Sequence, residues 1–155
     1  MLLVRILMHV ILLNLVRYFV LGFIEQPIIL PYLFRQMELN PQYFNTGFST
    51  LDWVTSYFYN FMMWLVIVWV FHLLQPRLKG NMYLKSLKVF GIMWLFFASI
   101  SAIYMNHYSH PKAFYVWNIV DALLIYSLLG LVNGCFYPII VEKHNRSRNH
   151  DQENP

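Results

Sequence analysis

An all-α integral membrane four-helix bundle is the fold class this sequence predicts, and three observations carry it. The chain of 155 residues is 59% hydrophobic and only 12% charged, where a soluble domain carries about 25% charged residues. A domain this small buries a limited share of its surface, so the apolar excess has no soluble core to fill. Four apolar segments also reach the ~20 residues that a helix needs to cross a bilayer. Finally, the basic residues gather on one side of those segments when they are threaded alternately. Disorder is excluded for the bulk of the chain, because disordered sequences are poor in aromatic residues and here they make up 19%.

The first segment, about residues 1–24, is strongly apolar but holds Arg5, His9, Asn14 and Arg17. Arg5 gives it the basic start of a signal peptide. Tyr18 to Phe23, however, offers no small-x-small cleavage site, so a retained helix is expected. From Glu25 to Thr50, the residues Pro27, Pro31 and Pro41 leave no room for a further span. This stretch is expected to be a long, partly amphipathic outer loop between helices 1 and 2. Leu33, Phe34 and Met37 have helical spacing, which predicts a short helix lying in the headgroup region. Ser49-Thr50-Leu51-Asp52 then matches the pattern in which a hydroxyl caps a helix and an acid follows three residues on.

The second helix is expected at about residues 51–75, where 24 consecutive residues between Asp52 and Arg77 carry no formal charge. The third, about 87–105, lies in a run of 23 uncharged residues between Lys88 and Lys112. The fourth, about 114–141, is interrupted only by Asp121, and Pro138 should bend it near its inner end. Short connections around Arg77–Lys88 and Asn106–Lys112 imply neighbouring antiparallel helices. Residues 1–141 thus form the four-span domain, and residues 142–155 a polar, disordered tail.

Four spans put Arg5, Arg77, Lys79, Lys85, Lys88, Lys143, Arg146 and Arg148 on one side, against Arg35 and Lys112 on the other. Both termini are therefore expected in the cytoplasm of a plasma or bacterial inner membrane. The net charge of +4 is read as topology and attraction to the lipid bilayer, not as a nucleic-acid surface. Cys135 is the single cysteine, which excludes an intrachain disulfide and a multi-cysteine zinc site.

Polar residues at membrane depth are costly and need a partner or a task. Asp121 and Asn118 lie in the outer part of the fourth helix, and Ala122, Ile125, Leu129 and Asn133 continue roughly the same face. Arg17 lies at comparable depth in the first helix, with Asn14 one turn deeper. The expectation is a buried Arg17–Asp121 ion pair, with Asn14, Arg17, Asn118, Asp121 and Asn133 as ligand-pocket candidates. His9 and His72 are a minimal pair for axial haem ligation, though interfacial or hydrogen-bonded histidines explain them more simply. His107 and His110, with Glu25 and Asp52, are weak metal-ligand candidates against a stronger reading of Asp52 as a cap. No cofactor is expected. Gly130 and Gly134 form a small-xxx-small stripe for close helix packing, within the bundle or in a homodimer. Trp53 and Trp117 sit where an outer aromatic belt would form.

No phosphate loop, HExxH or nucleophile elbow occurs. Two function classes follow. One is a non-enzymatic accessory or interaction subunit, slightly favoured because no catalytic constellation is complete. The other is a small-ligand or proton-handling protein with an outward-facing polar pocket around Arg17 and Asp121.

Overall fold

The computed structural model describes residues 2–45 and 47–142; of the tail predicted at residues 142–155, Glu142 belongs to the last described helical turn and the rest lies outside the described residues. The described residues are helical almost throughout, with four helices long and apolar enough to cross a membrane.

Helix α1 (Leu2–Leu15) widens into a π-helical turn at Val16–Leu21 and continues as α2 (Gly22–Ile28). The first candidate span therefore runs from Leu2 to Ile28, past the sequence-expected end near residue 24. Pro27 costs the helix only one backbone donor, so it ends at Ile28 and not at the proline itself. After a break at Ile29, α3 (Leu30–Leu39) takes up the predicted short helix, with Pro31 in its first turn, where a missing N–H is harmless. Leu33 is buried while Phe34 is exposed. Tyr32 stacks on Trp117 at 4.2 Å, and Phe44 packs on Phe114 at 4.6 Å. The connection between the first and second spans is thereby tied down on the last span.

Helix α4 (Thr50–Leu74) starts at the predicted capping box. The Asp52 amide donates to Ser49 Oγ at 3.2 Å, and the Ser49 amide donates to Asp52 Oδ2 at 2.8 Å. Helix α5 (Met82–His107) begins five residues before its expected start near residue 87. The Asn81 side chain caps it by accepting from the Leu84 amide at 2.9 Å. Lysines are good helix formers, so Lys85 and Lys88 end the apolar run without ending the helix. Helix α6 (Lys112–Tyr137) passes into a second π-helical turn at Pro138–Glu142, where the proline removes a backbone donor.

The most extensive contact is between α5 and α6, while α1 packs on α4, on α6 and on the closing π-helical turn. Helices α4 and α5 touch least among the consecutive long helices. The α5–α6 contact is close because of Gly130 and Gly134. A β-carbon on Gly134 would come within 2.7 Å of the Tyr83 Cα, and one on Gly130 within 3.2 Å of a Leu87 methyl. The small-residue stripe is thus filled by α5. Ile6, Val10, Trp64, Phe71, Phe90 and Leu129 form the centre of the core.

Candidate functional site

Two polar clusters lie inside the bundle, one toward each end. The cluster nearer the start of α1, inner in the expected topology, is a chain of hydrogen bonds through α1, α6 and α5. His9 Nε2 donates to Asn133 Oδ1 at 2.8 Å; Asn133 Nδ2 donates to Ser86 Oγ at 2.9 Å; Ser86 Oγ donates to the Gly130 carbonyl at 2.7 Å. His9, Ser86 and Asn133 are fully buried. Each bond satisfies a group whose burial would otherwise carry a desolvation cost. Tyr137 packs edge-on against His9 at 5.7 Å, and its hydroxyl pairs with His72 Nδ1. His9 and His72 therefore do not face each other across a haem slot; the Tyr137 ring contacts both of them.

The cluster toward the other end, outer in the expected topology, centres on Arg17. Its Nη1 donates to Glu25 Oε2 at 2.8 Å, an ion pair whose side chains are 18% and 3% exposed. The expected direct pairing of Arg17 with Asp121 is thus replaced by a partner eight residues along the same chain. In a regular helix residues eight apart diverge by about 80° around the axis. The π-helical turn that carries Arg17 absorbs one residue, so Arg17 and Glu25 share a face as residues seven apart do.

Asp121 is still close to Arg17. The two line one cavity of about 230 Å³ together with Asn118, Asn60, Trp64 and Tyr126. Asn60 Oδ1 accepts from Trp64 Nε1 at 2.7 Å, which fixes the amide at the wall. Asp121 is 7% exposed and Glu25 is 2% exposed. Among the described residues, Asp121 Oδ1 and Glu25 Oε1 here, and His9 Nδ1 in the other cluster, are buried without a hydrogen-bond donor. One guanidinium faces two carboxylates, which leaves an excess of acceptors and of negative charge. In an apolar surround such an excess is expensive.

Of the five pocket candidates, the structure brings Arg17, Asn118 and Asp121 together and leaves two out. Asn14 Nδ2 donates to the Val10 carbonyl at 2.9 Å on its own helix. Asn133 is twelve residues from Asp121, about 18 Å along the axis, and belongs to the inner cluster. Sequence reasoning missed Asn60 and Glu25 as members of this site. A lone amide within the uncharged run of the second helix was the available signal for Asn60.

The weak metal candidates are dispersed. Glu25 is held by Arg17, Asp52 by the helix cap, and His107 Nδ1 by the Ile103 carbonyl at 2.9 Å. His110 Nδ1 pairs with the Tyr115 hydroxyl at 2.9 Å, with Tyr43 edge-on to its ring at 5.4 Å. Among the described residues no three potential ligands form a metal-binding group.

A second, apolar hollow of about 440 Å³ lies between α4 and α5, where the helices separate. Met62, Val66, Met93, Phe96 and Ile100 contribute to it, and it shares Met63, Phe97 and Tyr126 with the polar cavity. The two hollows are thus adjacent, one polar and one oily. Comparison with known protein families, curated proteins and solved structures finds no match to this chain.

Proposed function

We propose that this chain is a multi-pass membrane protein, with both termini cytoplasmic, that takes up a small ligand or a proton in an outward-facing cavity around Arg17, Asn118 and Asp121. The membrane reading is supported by the large apolar side chains left on the outside of the helices, such as Phe19, Phe23, Phe58 and Phe96. So many large apolar side chains facing outward are uncommon on a soluble monomer. The single observation that carries the site is the unpartnered buried carboxylate oxygen of Asp121 beside an arginine already engaged by Glu25.

The accessory-subunit reading has less to stand on, since the glycine stripe that would dock a partner is occupied within the bundle. The cavity is tested by a single cysteine at the wall. In an Asn118→Cys, Cys135→Ser protein in sealed vesicles, a membrane-impermeant maleimide should react from the face opposite the termini. Reaction from the termini's side only, or none until detergent is added, would remove the proposal of an outward-facing site.

A further inference from the structure

The chemistry of the ligand follows from the two adjoining hollows. Resting on the cavity proposed above, we infer that the site binds a single-chain alkylammonium ion, with its head at Asp121 and its tail in the α4–α5 hollow. The charge count sets the head group. Arg17 neutralises one of the two carboxylates, so the charge left for an incoming group to meet is that of the Asp121 carboxylate, which a cation complements. The Asp121 oxygen lacks a hydrogen-bond donor, which favours a protonated amine carrying N–H bonds over a quaternary ammonium. Tyr126, Trp64 and Phe97 add aromatic walls, which attract a cation and repel an anion. A neutral head could donate to the Asp121 oxygen but not answer its charge, and an anionic head does neither.

The hollow between α4 and α5 sets the tail. Its lining is apolar and rich in methionine, whose flexible thioethers adapt to chains of varied shape. It meets the polar cavity at Met63, Phe97 and Tyr126, so one molecule spans both without turning a polar group into hydrocarbon. Helices α4 and α5 part at this place while α5 and α6 are pressed together. The opening is therefore lateral, toward the lipid, and an amphiphile dissolved in the bilayer enters with its tail already desolvated. The occupant is a membrane-dissolved amine, not a free aqueous one.

The test uses full-length protein in phosphatidylcholine nanodiscs and a dodecylammonium probe bearing a diazirine at mid-chain. After illumination, peptides carrying Met62, Met93 or Phe96 should be labelled, and unmodified dodecylamine should compete. A diazirine dodecyl sulfate or dodecanol of the same length should label them no more than bulk lipid would. Asp121→Asn should lower labelling about tenfold. Ile100→Trp, which fills the hollow and keeps the carboxylate, should lower it as well, and serves if Asp121→Asn fails to fold. Equal labelling by ammonium and sulfate probes, or labelling that survives either substitution in folded protein, overturns the inference. If the Asn118 cysteine still reacts from outside in that event, the cavity stands and only its ligand class falls.

Discussion

Arg17 is the residue on which the outer cluster turns, because it is the only cation among the described residues shown paired with a carboxylate. Removing it strands Glu25 beside Asp121 in an apolar surround. Arg17→Met should destabilise the protein by about 3–5 kcal/mol, the usual cost of breaking one side of a buried pair. Asp121→Asn keeps the shape and abandons no hydrogen bond at Oδ1, so it should cost less than about 1 kcal/mol. Unfolding in mixed micelles titrated with dodecyl sulfate measures both. A larger loss from Asp121→Asn than from Arg17→Met would mean that Asp121 is a structural tie and not a binding group. In the inner cluster, Asn133→Leu orphans both the His9 Nε2 donor and its link to Ser86. About 1–3 kcal/mol should be lost there by the same assay, with the outer cavity's cysteine reactivity unchanged because the two clusters share no residue.

At the scale of elements, the three glycines of α5 and α6 make a graded series. Gly91 has nothing within 4 Å of an added β-carbon, Gly130 meets a leucine methyl and Phe90, and Gly134 meets the backbone of Tyr83. Gly91→Ala should therefore be neutral or stabilise by up to about 1 kcal/mol through helix propensity. Gly130→Ala should cost little, since the Leu87 side chain can move aside. Gly134→Ala should cost about 1–3 kcal/mol, because backbone cannot yield as a side chain does. Reversal of that order in the same unfolding assay would contradict the close α5–α6 approach. The stripe itself was legible in the sequence as spacing; which surface fills it was not, because two faces of equal apolarity compete for it. Helix ends show the same division. Ser49 and Asp52 announced the start of α4 through local hydrogen-bonding chemistry that needs no tertiary knowledge. The start of α5 was placed too late because the lysines mark where apolar sequence begins, whereas Asn81 marks where the helix begins. The Arg17–Glu25 pair was hidden for a further reason. A regular 3.6-residue period puts the two on different faces, and only the π-helical turn between them reconciles the spacing.

For the whole molecule, the distribution of charge and the position of the cavity are linked. The cavity opens outward only if the α4–α5 connection faces the cytoplasm, since Asp121 lies in the half of α6 that follows the opposite connection. That orientation rests on lysines and arginines, of which Arg77, Lys79, Lys85 and Lys88 form the most numerous group. Structural duty accounts for little of that number: Lys88 Nζ donates to the Lys79 carbonyl at 2.9 Å, an exposed contact of small worth. Changing all four to Gln should therefore leave the bundle's stability within about 0.5 kcal/mol per position while erasing much of the inside bias. The expected outcome is a mixed population, in which a fraction of C-terminal tags becomes accessible to protease from outside intact cells. The same fraction should lose outside reaction at an Asn118 cysteine, because inversion turns the cavity toward the cytoplasm. Tags that stay wholly inside would show that orientation is fixed by something other than these cations. Tags that invert without any change at the Asn118 cysteine would show that the cavity has no single face, and would separate the protein's topology from its site.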